Sequence, residues 1–199
     1  MFRNDAMNLL GNGLYDAEHH EDSLSVREAN LATLQRLSGV TESFMLTAQA
    51  NLATTYHKLG RLDQALNMWR DVHTRTLRLN GEEHMQALNT TFNYATMLAQ
   101  LQRFEEAKAL FRKTMPVARR VFGEGHDLPL RLSWNYTRAL CEDPGATPDD
   151  YRETVAMLEE TAPTARRVLG GAHPLTVDIE RYLRLARTAL RIGEARRHA

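Results

Sequence analysis

The sequence has one cysteine, Cys141, among 199 residues, so no disulfide can form within the chain. A single thiol suits a reducing, intracellular compartment. The sequence also lacks an excess charge of either sign, because 25 basic and 25 acidic residues give a formal net charge of zero. Nucleic-acid-binding proteins normally carry a basic excess that neutralises phosphates, so we expect no nucleic-acid partner.

Long apolar runs are missing too. The start of the chain has no apolar stretch of signal-peptide length, and no segment approaches the roughly 18 apolar residues that a membrane span needs. We therefore expect no membrane partner and a cytoplasmic location. A Gly-rich phosphate loop, an H-E-x-x-H pair and a nucleophile elbow are also absent. These absences predict a protein that is not an enzyme and needs no cofactor, and Cys141 beside two acids is expected to be unreactive.

What the chain does contain is a repeat. The stretch ANLATTYHKLGRLDQAL begins at residue 50, and the similar stretch FNYATMLAQLQRFEEAK begins 42 residues later. The same interval relates one glycine, one arginine and one asparagine in successive copies: Gly39, Gly81 and Gly123; Arg36, Arg78 and Arg120; Asn51, Asn93 and Asn135. A fourth glycine, Gly170, follows after 47 residues, and the turn-rich segment CEDPGATPDD accounts for the longer interval.

Each copy predicts two helices. Apolar residues recur at helical spacing from Met85 to Gln102, and again after the turn that follows Leu59. Gly81 can take a left-handed conformation that ends the second helix, while Thr147 is a candidate N-cap. Two such helices cannot bury their apolar faces alone, so neighbouring copies must stack. We predict a single all-α solenoid domain over 1–199, with repeats over 4–42, 43–84, 85–126 and 127–173 and a capping helix over 174–192.

The spacing Leu52-Ala53-x-x-Tyr56, followed by Gly60 and Ala65-x-x-x-Trp69, resembles the tetratricopeptide repeat (TPR). The 42-residue unit and the G-x-x-H junctions, as in LRLNGEEHMQAL, resemble the kinesin light chain type of this repeat. The resemblance implies a right-handed solenoid whose first helices line a concave groove for an extended peptide.

In repeats of this type the asparagine before the Leu-Ala pair is implied to face the groove, and helical geometry adds further residues to that face. The predicted groove consists of Asn51, Lys58, Asn89, Phe92, Asn93, Gln100, Arg131, Trp134, Asn135 and Arg138. A basic, amide-rich surface with two aromatic anchors suits an acidic peptide that carries an aromatic or apolar residue. Two alternatives stay open: the asparagines bond the adjacent helix, and the aromatic rings pack between helices.

The recurrent histidines His84, His126 and His173 suggest a metal at first sight. Helices of successive repeats lie about 10 Å apart, whereas zinc needs ligands at about 2 Å. One histidine per repeat therefore cannot share an ion, and we expect capping and packing at the repeat junctions. His19 and His20, in EHHED, fall at a predicted solvated turn, so no metal site is expected.

The function that fits these features is a non-enzymatic scaffold that binds a protein or peptide partner in the groove. One alternative is a self-association module, which would make a homodimer. Another is a regulatory or sensor segment of a larger protein, which is compatible with a chain that starts MFRND.

Overall fold

The computed structural model describes residues 2–195, and the side chains of residues 5–192. Over this range the chain forms nine α-helices and no strand, which confirms the predicted all-α class of stacked helical repeats. Connections of three to five residues keep consecutive helices adjacent. The helices are α1 Phe2–Asp16, α2 His20–Arg36, α3 Glu42–Lys58, α4 Leu62–Asn80, α5 Met85–Gln100, α6 Phe104–Phe122, α7 Asp127–Glu142, α8 Pro148–Leu169 and α9 Pro174–Ala195.

The chain divides into two compact units, Met1–Met97 and Leu98–Ala199, and the division falls within α5. The single domain and its four repeats therefore stay predictions, and the predicted domain includes Met1 and residues 196–199, which lie outside the described residues. None of the described helices combines the length and the apolar character that crossing a bilayer requires.

In the first unit α1 packs on α2, α2 on α3, and α3 on α4. The residues with repeat-like spacing form its core: Leu52 and Ala53 of α3, and Trp69 and Val72 of α4, are at most 4% exposed. Burial of these side chains is the main stabilisation of such helices, which are too short to be stable alone.

In the second unit α6 packs on α7, α7 on α8, and α9 on both α7 and α8. A core cluster joins Leu130 and Trp134 of α7 to Leu158 of α8 and Ile179 of α9. Helix α9 lies over the segment 174–192 for which a capping helix is predicted, and it runs from Pro174 to Ala195. Thr147 is the N-cap of α8, and it exchanges hydrogen bonds with Asp150 in a capping box.

The turn within a helix pair recurs with the 42-residue period. Glu18, Gly60 and Gln102 have φ values of 64°, 72° and 59°, in the left-handed region. In each case the next residue donates its N–H to a carbonyl five positions back, as His19 does to Leu14 and Arg103 to Leu98. The prediction that the first helix of the third repeat runs to Gln102 is therefore wrong: α5 ends at Gln100 because the turn needs this left-handed residue.

The glycines that end α4, α6 and α8 differ from the predicted left-handed cap. Gly81, Gly123 and Gly170 combine φ of 80–89° with ψ of 155–167°. This region is essentially restricted to glycine. A Cβ atom would meet no atom within 4 Å at these sites, so the glycines are required by backbone conformation and not by close packing.

Candidate functional site

The first unit contains a polar cluster where α1 lies beside α3. Asn51 Nδ2 donates to Asn8 Oδ1 at 3.1 Å, and both side chains are half-buried. The alternative that these asparagines bond an adjacent helix thus holds for Asn51. Because its side-chain NH₂ group already donates to Asn8, Asn51 has fewer donors left for a peptide than was predicted from its position.

Arg27 of α2 lies at the centre of this cluster and is 6% exposed. Its Nη1 donates to the main-chain oxygen of Asn51 at 2.7 Å and to Thr55 Oγ1 at 2.5 Å, and its Nη2 donates to Asn12 Oδ1 at 2.8 Å. The guanidinium carbon lies 4.9 Å from the centre of the Tyr15 ring. Gly11 makes room for this packing, because a Cβ there would lie 3.1 Å from Arg27 Cγ.

The charge of Arg27 is not neutralised by an acid. Among the described side chains, no carboxylate lies within ion-pair distance of the guanidinium, and its Nε has no hydrogen-bond partner. Burial lowers the pKa of the Arg27 guanidinium, and the opposing influence of Tyr15 and Asp16 offsets only part of that effect. An arginine nevertheless stays charged at neutral pH. A buried, uncompensated cation attracts an anion to the nearest accessible surface.

That surface is formed by two asparagines one helical turn apart on α1. Asn8 Oδ1 accepts from Asn51, and Asn12 Oδ1 accepts from Arg27. With both oxygens engaged, the Nδ2 groups of Asn8 and Asn12 remain as donors, and Asn12 is exposed. Lys58, also exposed, is on α3 two turns after Asn51. Amide donors beside a buried guanidinium are suited to a carboxylate ligand.

The other predicted groove residues of this unit differ in accessibility. Asn89 is half-buried, and its Nδ2 donates to the Met85 carbonyl of its own helix at 3.1 Å. Asn93 is half-buried as well. Phe92, however, is only 4% exposed and offers no ring to a ligand.

In the second unit the predicted cations are already paired. Arg131 Nη1 lies 3.2 Å from Asp127 Oδ2, and Arg138 Nε lies 3.7 Å from Glu142 Oε2, each pair one turn apart on α7. These acids reduce the positive charge that the sequence predicted for this face. Among the amides, Gln100 is exposed.

Asn135 and Trp134 are buried rather than presented to a ligand. Asn135 is 8% exposed, and its Nδ2 donates to the Arg131 carbonyl at 2.9 Å. Trp134 is 9% exposed and makes an edge-on contact with the Tyr182 ring, with 4.5 Å between ring centres. The burial of Phe92 and Trp134 favours the alternative that these rings pack between helices, so the predicted aromatic anchors are removed from the candidate site.

Tyr182 covers the Trp134 ring from α9. Its hydroxyl donates to Glu142 Oε1 at 2.9 Å, and the Arg181 guanidinium lies 5.4 Å from its ring centre. Burial, and then the hydrogen bond to Glu142, raises the pKa of Tyr182 to about 12. The phenol is therefore a neutral hydrogen-bond donor at physiological pH.

Sequence reasoning missed Asn8, Asn12 and Arg27 as residues of the candidate site. A signal was present, because Arg27 occupies the place that Trp69 holds in the next repeat. A charged residue at a position that is buried elsewhere in the repeat must be satisfied by polar neighbours. Two asparagines four residues apart on the preceding helix are suitable partners.

The recurrent histidines cap helices, as predicted. Nδ1 of His84, His126 and His173 accepts the backbone N–H two residues later at 3.1–3.2 Å, at the starts of α5, α7 and α9. In the described part of the chain, no three His, Cys, Asp or Glu side chains are arranged to hold a metal ion. Burial raises the pKa of the Cys141 thiol, which fits the expectation of an unreactive cysteine.

Comparison with known proteins settles the type of repeat. A family model described as the tetratricopeptide repeat matches residues 44–120. Residues 44–120 are tetratricopeptide repeats. No curated protein matches the chain. Three solved structures share the fold of this chain over at least 92% of its length, and each is at most 17% identical to it, so they bear on fold alone.

The first consists of nearly identical TPR-like repeats of the kinesin light chain type from Podosopora anserina: 17% identity, 98% of this chain and 90% of that one, TM-score 0.78. The second is BtubC (BKLC) from P. vanneervenii, with 15% identity, 98% and 81% coverage and a TM-score of 0.64. The third is the Rap conjugation gene regulator of plasmid pLS20 in complex with the Phr* peptide. It is 11% identical, the match covers 92% of this chain and 52% of that one, and the TM-score is 0.58. The predicted TPR fold of the kinesin light chain type is confirmed.

Proposed function

We propose that this TPR chain is a non-enzymatic interaction scaffold that binds an extended, acidic peptide segment on the first helices of its repeats. The observation that supports this most directly is the Asn8–Asn12–Arg27 cluster. It combines a buried cation that lacks an acidic partner with two amides whose donors are unused. TPR folds generally serve as protein-interaction scaffolds, and the Rap regulator was solved with a bound peptide.

The proposed recognition has two parts. An Asp or Glu side chain of the peptide accepts hydrogen bonds from Nδ2 of Asn8 and Asn12, whose Cβ atoms are about 5–6 Å apart one turn along the helix. The positive charge of Arg27 lies behind these amides and strengthens both bonds. Lys58 gives a second, more mobile cation for a neighbouring acidic residue, because it is exposed on the adjacent helix.

The structure gives no support for an aromatic residue in the peptide. Phe92 and Trp134, which were predicted to contact such a residue, are buried. The proposal therefore keeps only the acidic residue of the peptide. In the second unit, Arg138 and Glu142 form a pair with 25% and 47% exposed side chains. That unit therefore presents both signs of charge, and the acidic preference is assigned to the first unit.

The decisive variant is Asn12→Asp. The new carboxylate replaces an acceptor that already lies 2.8 Å from Arg27 Nη2, so it neutralises the buried cation and keeps the fold. It also repels an acidic ligand. Asn67→Asp is the matched control, because Asn67 on α4 likewise accepts from an arginine, Arg70, at 3.1 Å on an exposed surface.

The test is a peptide-display selection on the purified chain, Asn12→Asp and Asn67→Asp. We expect acidic peptides to be enriched on the unmodified chain and on Asn67→Asp, and this enrichment to disappear on Asn12→Asp. Equal enrichment on all three proteins, or enrichment without acidic residues, would reject the proposed site. The alternative of a regulatory segment in a larger protein stays a prediction.

A further inference from the structure

The two ends of the chain carry opposite charge. Residues 4–26 contain five acidic residues and no lysine or arginine, whereas residues 181–197 contain six arginines and one glutamate. The formal net charge of zero conceals this asymmetry. Opposite charges at the ends of a neutral chain favour association of one copy with the next.

The acidic end presents an exposed helix face on α1. Leu9 is 72% exposed and Leu10 is 54% exposed, although leucine is usually a core residue. Helical geometry places Asp5 and Asp16, both exposed, on the Leu9 side of this face. The residues around the leucines are small and exposed: Ala6, Gly13 and Ala17. Small residues allow a partner helix to approach the backbone closely.

The basic end presents a comparable face on α9. Leu185 is 57% exposed, Ile192 50% and Val177 47%. Arginines lie on the same side of the helix, and within the described range Arg184 and Arg191 have no carboxylate at ion-pair distance. Arg181 bonds Asp178 at 3.1 Å, and both residues are on α9.

The two faces match in chemistry and in spacing. Asp5 and Asp16 are eleven residues apart, which is about 16 Å along a helix, and Arg181 and Arg191 are ten apart, which is about 15 Å. In an antiparallel or parallel pairing of α1 with α9, acids at both ends of one face therefore reach arginines at both ends of the other. Arg181 exchanges its exposed bond to Asp178 for one to the second copy. The exposed leucines of α1 then lie against Leu185 and Ile192 and lose water contact.

We propose that the α1 face of one copy docks on the α9 face of a second copy. Because the two faces differ, the interface is heterologous, and a dimer still presents one unused face of each kind. Association then continues to longer assemblies unless a ring closes. The α1 face adjoins the proposed peptide site, because Asp16 is one turn from Asn12 and acts electrostatically on Arg27. The two proposals are therefore tested with different variants and different measurements.

The test uses two single-face variants of the full chain. Leu9→Ser with Asp16→Arg alters the α1 face, and Leu185→Ser with Arg191→Asp alters the α9 face. All four residues are exposed, so the fold is expected to survive, and circular dichroism and thermal unfolding check this. Leu79→Ser with Asp63→Arg, both exposed on α4, makes the same kinds of change elsewhere.

Sedimentation velocity over a range of protein and salt concentrations is the measurement. We expect the unmodified chain and the α4 control to associate with rising concentration and less so in high salt. Each single-face variant alone should associate at least about tenfold more weakly. An equimolar mixture of the two variants should form a 1:1 complex and nothing larger, since each supplies the face that the other lacks.

Three results would overturn the proposal. The first is an unmodified chain that stays monomeric at every concentration. The second is a mixture of the two variants that forms no complex. The third is self-association by either single-face variant at unmodified strength, which would indicate a symmetric interface or a different surface.

Discussion

The side-chain oxygen of Asn12 on α1 lies 2.8 Å from Nη2 of Arg27 on α2, in a cluster where no described carboxylate balances the arginine. The first repeat thus retains a buried cation at the position where the second repeat has Trp69. A protein gains little stability from such a charge. Its retention is explained if the charge serves an external carboxylate.

This relationship predicts that Asn12→Asp stabilises the fold. A charge-assisted bond replaces a neutral acceptor, and the expected gain is about 1 kcal/mol in the free energy of unfolding. Urea unfolding at neutral pH measures the change, with Asn67→Asp expected to gain less because both partners there are exposed. A loss of stability in Asn12→Asp would show that Arg27 is not short of a counter-charge.

The recurrent turn predicts how adding a glycine at residue 102 and removing the glycine at residue 60 change the stability of the fold. Gln102 and Glu18 hold left-handed backbone that Gly60 adopts without steric strain. Gln102→Gly should therefore raise the free energy of unfolding by about 1 kcal/mol, and Gly60→Ala should lower it by a similar amount. Thermal unfolding of both variants compares the signs. Equal destabilisation by the two changes would contradict the assigned turn.

The histidine caps predict that substitutions of His126 lower the free energy of unfolding by different amounts. His126 Nδ1 accepts the Leu128 N–H at 3.2 Å, and its ring stacks on Phe122 with 4.7 Å between ring centres. We expect His126→Ala to cost about 1 kcal/mol, and His126→Asn to cost less because an amide oxygen can still cap the helix. Chemical unfolding separates the two. An asparagine variant as unstable as the alanine variant would assign the effect to stacking alone.

The loop after α7 predicts a pH dependence. Lys108 is buried, and its Nζ lies 2.8 Å from Asp143 Oδ2. The hydrogen bond from Lys108, and then the one from the Gly145 N–H, holds the pKa of Asp143 below its ordinary value of 3.8. A lowered folded-state pKa means that the carboxylate stabilises the fold above pH 3.8, and that this contribution is lost as pH falls through the folded-state value.

Asp143→Asn should therefore be less stable than the unmodified chain by about 1 kcal/mol at neutral pH. The difference should shrink below pH 3.8, where both proteins approach a neutral side chain. Urea midpoints across a pH series test this, with Asp149→Asn as the control because its carboxylate pairs with Arg152 on the exposed surface. A difference that is constant with pH would show that the charge on Asp143 is unimportant.

The fold could be predicted because its signal is repeated. Leu52, Ala53 and Trp69 face the core as their spacing indicated, and the junction histidines cap helices where the repeat placed them. The repeat places a turn at Gln102, 42 residues after Gly60, but the left-handed backbone of a glutamine there has no local signal. Backbone conformation there is imposed by the packing of the two helices it joins.

The candidate site could be predicted only in outline. Projection on a helical wheel assigns a residue to a face, but it does not tell whether the neighbouring helix covers that face. Phe92 and Trp134 were placed on the groove and are covered. Conversely, the site at Arg27 of α2 depends on two other helices that approach its side chain, α1 with Asn12 and α3 with Asn51 and Thr55. The residue spacing within one helix does not reveal such contacts between helices.

The most direct test of the account is a two-dimensional NMR titration of the side-chain amides with an acidic peptide from the display selection. A copy of that peptide with Asn and Gln in place of Asp and Glu is the control. We predict that the acidic peptide shifts the Nδ2 signals of Asn8 and Asn12, that the neutral copy does not, and that Asn67 is unaffected by either. Shifts of the same size with both peptides, or shifts that leave Asn8 and Asn12 unchanged, would contradict a carboxylate site at Arg27.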